Sequence, residues 1–323
     1  MTWDIDRDMQ DLPGKVAIVT GGNTGIGKET VRQLARRGAV VYMASRTEAR
    51  ARAAIAELNS AHPEIATKGG RIEFLELDLT SLAGCQAAAR AFLEKETRLD
   101  ILVNNAGIMA TPFELTADGF DIQFQSNYLG HFAFTYPLLP TLVKTSEDPS
   151  TSVRIVQVSS SGHAFASSDV SFDKVASVNR DFGSTWTRYG QSKLSNILFA
   201  KALDKRLASH RIFSSATHPG VVRTELNRGY MQTYPWLSRV QGVLEGILKA
   251  LVLTSPYKGA LTPLYAAVAS EIEENGWRGE YFVPYAKRTQ PSKLAMDEKL
   301  ADELWTFSEN VVREKCGSLD SRE

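Results

Sequence analysis

Short apolar runs alternate with segments of helical period along most of the chain, and that rhythm sets the first expectation. Lys15-Val-Ala-Ile-Val-Thr20 is apolar and β-branched and runs into glycines, the pattern of a buried strand. A helix over Lys28 to Arg37 follows and stops at Gly38. Further strands are expected at Val40 to Ala44, Ile72 to Leu77, Ile101 to Val103, Arg154 to Val158 and Ile212 to Thr217, with a seventh at Gly279 to Val283. Helical spacing fills intervals at Glu48 to Ala61, Ser81 to Glu96, Tyr189 to Ala208 and, in the tail, Asp297 to Lys315. A longer helical run, Gly119 to Val143, must kink or end at Pro137 and Pro140, because proline lacks the N–H and clashes with the preceding turn.

Alternation at this pitch predicts an α/β fold, a doubly wound parallel sheet with helices on both faces. The 323 residues would fill roughly two domains at about 150 residues each. No linker, repeat or low-complexity stretch interrupts the alternation, so one domain over 1–323 is expected. In such sheets ligands lie beyond the carboxyl ends of the strands, near the point where strand order reverses. Residues just after strands therefore carry the candidate chemistry.

Composition narrows the function classes. Apolar residues make up 43% and charged residues 23%, ordinary globular usage. Lys plus Arg number 37 and so do Asp plus Glu, and zero net charge argues against nucleic acid as a partner. Cys85 and Cys316 are far apart and form no C-x-x-C pair, so a reducing, cytoplasmic setting is expected. Met1 to Leu12 carries Asp4, Asp6, Asp8 and Asp11 and lacks the basic start and apolar core of a signal peptide. No run approaches the ~18 apolar residues of a transmembrane segment. The histidines (His62, His131, His163, His210 and His218) show no H-x-x-x-H spacing, so no metal is expected. The absence of G-x-S-x-G disfavours a serine hydrolase.

Thr20-Gly-Gly-Asn-Thr-Gly-Ile-Gly27 joins the first strand to the first helix. Glycines let the backbone approach a pyrophosphate, and the helix N-terminus presents oriented N–H groups. Gly22 to Lys28 nearly matches a P-loop, but Glu29 stands where a magnesium-binding Ser or Thr belongs. A dinucleotide is therefore favoured over a nucleoside triphosphate. The second strand ends in Ser45-Arg46 with no acid to hold a ribose 2′-hydroxyl. A guanidinium there suits a 2′-phosphate, so NADP(H) is expected, with NAD(H) second. Glu48 begins a helix capped by Thr47 and is expected to point away.

Tyr189-Gly-Gln-Ser-Lys193 places a phenol and an ammonium four residues apart, on one helical face. A nearby ammonium favours the phenolate, as would a cationic nicotinamide ring, and lowering a tyrosine from about 10 towards 7 takes roughly 4 kcal/mol, within reach of two cations in a partly dry cleft. Strand-end serines Ser159, Ser160 and Ser161, the turn Asn104-Asn-Ala-Gly107, and Asn127 supply polar groups at the same sheet edge.

These four motifs, TGGNTGIG, NNAG, the strand-end serines and YGQSK, stand in the order found in the short-chain dehydrogenase/reductase family. The chain resembles that family over 12–283, with its single-domain Rossmann-type fold, and its retinol-dehydrogenase-like branch in particular. The resemblance implies Tyr189 as general acid/base, Lys193 as the lysine that lowers its pKa and binds the nicotinamide ribose, and Asn127 supporting a proton relay. It aligns Ser160 with the serine on the substrate oxygen, with Ser159 and Ser161 as register alternatives. For the cofactor it implies Gly21, Asn23, Thr24, Gly25, Ile26, Gly27, Ser45, Arg46, Asp78, Leu79, Asn105, Ala106 and Gly107. The loop carrying Pro219, Gly220, Val222 and Thr224 would cover the nicotinamide. The implied chemistry is reversible hydride transfer between nicotinamide and a carbonyl or alcohol carbon. A non-catalytic dinucleotide sensor or scaffold is the alternative.

Two segments bear on substrate. The stretch 161–188 holds Phe165, Phe172, Phe182 and Trp186 as candidate pocket walls. In 225–256, Trp236, Leu237, Val240, Val243, Leu244, Ile247, Leu248 and Leu251 recur at helical spacing, as a lid, a subunit interface or a membrane-surface helix. The resemblance to the retinol-dehydrogenase-like branch implies a lipophilic alcohol, aldehyde or ketone as substrate, and the family resemblance allows a homodimer. His163 lies near the active edge, where a surface or packing role is expected over substrate contact.

Overall fold

A computed structural model describes residues 3–222, 233 and 254–317. Its frame is an eight-stranded sheet. Eight short segments build it: β1 (Val16–Thr20), β2 (Val40–Ser45), β3 (Arg71–Glu76), β4 (Ile101–Asn104), β5 (Val153–Val158), β6 (Ile212–Thr217), β7 (Tyr281–Val283) and β8 (Lys287–Thr289). Their spatial order is β3-β2-β1-β4-β5-β6-β7-β8. All neighbours pair in parallel except β7 and β8. Every residue of β1, β2, β4, β5 and β6 is buried, as the unbroken apolar runs require of strands covered on both faces.

The covering helices are α1 (Gly25–Arg36), α2 (Glu48–Ala61), α3 (Leu82–Leu93), α4 (the run 122–146), α5 (Thr185–Arg206), α6 (Pro256–Val268) and α7 (Glu298–Cys316). Strand alternation divides the core. Ala17 and Val19 join the side chains of α1, α2 and α6, while Val16 and Ile18 join those of α3, α4, α5 and α7. The tail helix α7 lies on α4 and α5. Trp305 meets Phe132 at 5.1 Å and sits under the Arg206 guanidinium at 4.2 Å, and Tyr128 Oη hydrogen-bonds Ser308 Oγ at 2.6 Å.

The seven expected strands are present within a residue or two, and β8 was not foreseen. It is a three-residue antiparallel edge whose exposed Lys287 and Arg288 carry no apolar signal; charges of this kind protect a sheet edge from further pairing. Helix α6 also went unread. The expected long helix breaks at its prolines, with a 3₁₀ turn at Tyr136–Leu138 around Pro137 and a fresh start at Leu139–Ser146 around Pro140, and it carries a further, unforeseen π-turn at Gln125–Leu129. Thr47 holds the N-cap position of α2 but makes no side-chain cap bond. Thr224 and most of 225–256 lie outside the described residues. Among those described, no helix is long and apolar enough to cross a membrane, and no His/Cys/Asp/Glu group could hold a metal.

Candidate active site

The sheet order reverses between β1 and β4, and the candidate residues gather at the carboxyl ends of the strands on either side. After β1 the chain turns with Gly21 at φ +63° and Gly25 at φ +55°, the left-handed region that glycine tolerates. Gly27 is held for space: a methyl there would collide with the Gly21 carbonyl and stand 2.6 Å from Asn105 Nδ2. Thr24 makes no side-chain cap bond, so the first amides of the twelve-residue α1 stay uncovered by their own cap. Glu29, the residue that spoiled the P-loop match, is tied back along the helix to Arg32 and Gln33.

The Asn104-Asn-Ala-Gly107 turn locks this loop in place. Asn105 Nδ2 donates to the Thr20 carbonyl at 2.8 Å, and the Asn105 and Ala106 amides both donate to Thr20 Oγ1 at 2.9 Å. Asn104 braces the sheet instead, donating to Thr135 Oγ1 and Gln157 Oε1. Two observations fit a phosphorylated ribose beside β2. Ser45 Oγ is buried without a partner. Arg46 is exposed, and no ion pair to it occurs among the described residues, whereas Glu48 is taken by Arg52 at 2.7 Å. Asp78 folds back onto Thr80, whose amide and hydroxyl it accepts. Leu79 is buried, its carbonyl hard against Gly130 of α4.

Helix α5 brings Tyr189 and Lys193 beneath the end of β5. Both are buried, 6% and 5% exposed. The Ser160 hydroxyl lies beside the tyrosine: a methyl on Gly162 would stand 3.3 Å from Ser160 Oγ and 2.9 Å from the Tyr189 ring. Its neighbours do other work: Ser159 Oγ donates to the Lys193 carbonyl at 2.7 Å, and Ser161 is exposed. Of the three serines, Ser160 is therefore the one placed at the phenol. Two glycines permit this closeness. Gly162 lies where a methyl would be 2.9 Å from the tyrosine ring, and Gly190 lies 2.5 Å, by the same measure, from the Ala166 amide.

Lys193 Nζ donates to the Val158 carbonyl at 2.9 Å and lies 5.9 Å from the Tyr189 ring centre. Burial lowers its pKa to about 8. Burial also raises Tyr189, against the opposing pull of Ser160. In the chain alone desolvation of the phenol leads, with the ammonium turned to a backbone carbonyl; the lowering expected from spacing was to come from Lys193 together with a cationic nicotinamide.

Asn127 occupies the π-turn of α4 and is fully buried. Its Oδ1 accepts the Ile108 amide at 2.7 Å, and its Nδ2 donates to the Ile108 carbonyl and to Ser192 Oγ, both at 2.9 Å. Ser192 Oγ in turn donates to the Tyr189 carbonyl at 2.7 Å, so one side chain of the YGQSK motif couples Asn127 to the tyrosine. Gly107 fits between these groups; a methyl on it would come 3.0 Å from Asn127 Oδ1 and 3.2 Å from Lys193 Nζ.

Sequence reasoning missed His131. Thr20 Oγ1 already accepts two amides, so its own proton goes to His131 Nε2 at 2.8 Å. The ring proton then sits on Nδ1, facing the Asn127 carbonyl at 3.0 Å. Burial lowers this imidazole to about 4, so it is neutral. Its spacing of four from Asn127 was the available signal.

The loop after β6 carries Pro219, Gly220 at φ +88° and Val222, which bridges to Thr254. A methyl on Gly259 of α6 would meet Val222 at 2.6 Å and Ile26 of α1 at 3.1 Å, so this loop and the glycine loop share one wall. Of the four candidate pocket aromatics, Phe165 and Trp186 lead to Tyr189, with ring centres 6.3 and 6.2 Å apart along the series. Phe172 is core, 1% exposed and stacked on Phe124, and Phe182 lies under Arg180.

Residues 15–171 match the short chain dehydrogenase family model. The short-chain dehydrogenase/reductase drtF of Aspergillus calidoustus is 41% identical over 95% of this chain and 96% of its own length. Human retinol dehydrogenase 12 is 39% identical over 94% and 87%. A solved protein from Mycobacterium paratuberculosis shares the fold at TM-score 0.70, with 31% identity over 97% of this chain and 98% of that one. The chain thus belongs to the short-chain dehydrogenase/reductase family, pyridine-nucleotide-dependent oxidoreductases that act on CH–OH and C=O groups.

Proposed function

We propose that this protein is an NADP(H)-dependent oxidoreductase acting on an alcohol or carbonyl carbon of a lipophilic small molecule, with Tyr189 as the general acid/base. The observation that carries it is the buried Tyr189 phenol, set beside Ser160 at the carboxyl edge of the sheet, with the Lys193 ammonium on the same helical face.

The glycine loop, the uncapped start of α1 and Gly107 would hold the dinucleotide, and Ser45 and Arg46 would meet its 2′-phosphate. Bound there, the nicotinamide supplies the hydride for reduction and takes it up in oxidation. The chain's own residues move the proton. Burial keeps Tyr189 protonated at neutral pH, the state in which it donates to a forming alkoxide. Ser160 gives that oxygen a second hydrogen bond. Lys193 and Asn127, joined through the contacts around Gly107 and Ser192, hold the far side of the tyrosine.

The Phe165–Trp186–Tyr189 series favours an apolar substrate. The stretch 161–188 would thus wall the pocket through Phe165 and Trp186 alone. The likeness to retinol dehydrogenase 12 points the same way.

The test follows NADPH and NADH absorbance over aliphatic aldehydes, aromatic ketones, retinoids and sterols. Tyr189→Phe should nearly abolish turnover while dinucleotide still binds; full activity would remove Tyr189 from the reaction. Arg46→Asp should shift preference towards NADH, and unchanged selectivity would refute the 2′-phosphate contact.

A further inference from the structure

His163 occupies the turn Ser161–Phe165, directly after the candidate catalytic serine, and is 6% exposed. Its two ring nitrogens face opposite demands. Nδ1 lies 2.7 Å from the Ser160 carbonyl, which only accepts. Nε2 lies 3.0 Å from the Ser292 amide, which only donates. One protonation state satisfies both: the neutral imidazole with its proton on Nδ1. Burial lowers the pKa of His163, which favours that state. The ring stands edge-on to Tyr281 of β7, with centres 5.3 Å apart.

Ser292 lies beyond β8, 129 residues along the chain from His163. The same C-terminal stretch also approaches the loop after β6, where Pro284 would lie 3.2 Å from a methyl on Gly220. The chain after β7 therefore meets the loop after β6 as well as the turn after β5. At Ser160 the contact runs through a single imidazole. The Ser160 hydroxyl is fixed on its other side by the Gly162 amide, which donates to it at 3.0 Å. Its remaining freedom is rotation of the serine peptide, and the His163 bond to the Ser160 carbonyl restrains that rotation.

We infer that His163 is a positioning residue for the reaction. As a neutral Nδ1–H imidazole it ties the Ser160 peptide to the Ser292 amide, so the C-terminal stretch holds the serine hydroxyl at Tyr189. The inference rests on the Ser160–Tyr189 reading above.

Two changes cut the link from opposite ends. His163→Phe keeps a ring beside Tyr281 and removes both nitrogens. Ser292→Pro deletes the donating N–H and leaves His163 intact. Each should lower kcat for NADPH-dependent reduction of nonanal or all-trans-retinal, whichever the wild type reduces faster, by roughly tenfold. The Kd for NADPH should stay within about twofold. The double variant should be no slower than His163→Phe alone, because both changes break one link.

Amide exchange gives a readout independent of turnover. In Ser292→Pro, the peptide covering 159–165 should exchange faster although the mutation lies far along the chain. If Ser292→Pro does not fold, the double variant and the exchange readout are replaced by His163→Asn as a single variant, which keeps a donor for Ser160 but falls short of Ser292. Its kcat should fall as far as that of His163→Phe, and a kcat within twofold of wild type overturns the inference. A kcat within twofold of wild type in His163→Phe overturns the inference. So do multiplicative losses in the double variant, or unchanged exchange at 159–165. A fully active Ser160→Ala would instead remove the catalytic reading beneath it, whereas an inactive Ser160→Ala beside a normal His163→Phe removes the positioning role alone.

Discussion

Replacing Lys193 with methionine should make the protein more stable at neutral pH, and by an amount that disappears in alkali. Burial lowers the Lys193 pKa to about 8 from its ordinary 10.5. At roughly 1.36 kcal/mol per pKa unit, holding the ammonium in the folded chain costs about 3 kcal/mol. The sign follows from proton counts. Below about pH 8 folded and unfolded chains both carry the proton, and the cost is present in full. Between about pH 8 and 10.5 the folded chain has released it and the unfolded chain has not, so wild-type stability rises with pH. Methionine has similar length and no charge to bury. The Val158 carbonyl, which loses the lysine, keeps Asn196 Nδ2 as a donor at 3.2 Å. Urea unfolding of both proteins from about pH 7 to 10, with m-values compared, measures the gap directly. The variant should lead by about 3 kcal/mol at the acid end and converge with wild type at the alkaline end. A variant less stable than wild type at pH 7, or a gap that does not move with pH, refutes this account of Lys193.

Gly107→Ala would put a methyl 3.0 Å from Asn127 Oδ1 and 3.2 Å from Lys193 Nζ. Steady-state kinetics should show kcat lower by about tenfold or more with the melting temperature little changed, since the clash falls on site groups and not on the core. Asp121→Ala removes the partner of Arg188, in a pair whose side chains are only 2% and 4% exposed, and uncaps the start of α4 at Gln123 and Phe124. Denaturant titration should show a loss of about 3 kcal/mol, because the buried guanidinium keeps only the longer ion pair to the half-exposed Asp181 at 3.7 Å, and Asp121→Asn should recover part of it through the cap.

What the sequence revealed of the fold followed from burial on both sides of the sheet. Strands such as β1 and β5 are apolar throughout because no face meets water, so they stand out without any partner being known. The three residues of β8 and the π-turn around Asn127 have no such signature. One is a charged edge; the other comes with the hydrogen bonds that Asn127 makes to the Ile108 backbone and His131 to the Thr20 hydroxyl. Phe172 shows the same limit from the other direction. An aromatic residue in an insert serves a pocket or a core equally well by composition, and its contact with Phe124 decides for the core. Within the site, the glycine loop, Tyr189 and Lys193 were legible because local spacing places them. The pairing of His163 with Ser292 was not, because tertiary packing alone brings residues 129 apart to one ring.

The same distinction explains why charge states were harder to anticipate than positions. Spacing correctly set Lys193 on the face of Tyr189, yet in the chain alone burial of both groups raises the phenol and lowers the ammonium. His131 and His163 are each confined to one neutral tautomer by a donor on one side and an acceptor on the other. The site is thus assembled largely from neutral hydrogen bonds, with Lys193 as a buried cation that has no carboxylate partner among the described residues. A charge left uncompensated by its own chain lowers the energy of whatever negative charge comes near it, and in a desolvated pocket that interaction is strong. The cost of burying Lys193 and its use to a phenolate at Tyr189 are therefore two expressions of one quantity. For that reason the stability gap between Lys193→Met and the wild type, and the activity of the wild type, should respond to pH over the same range.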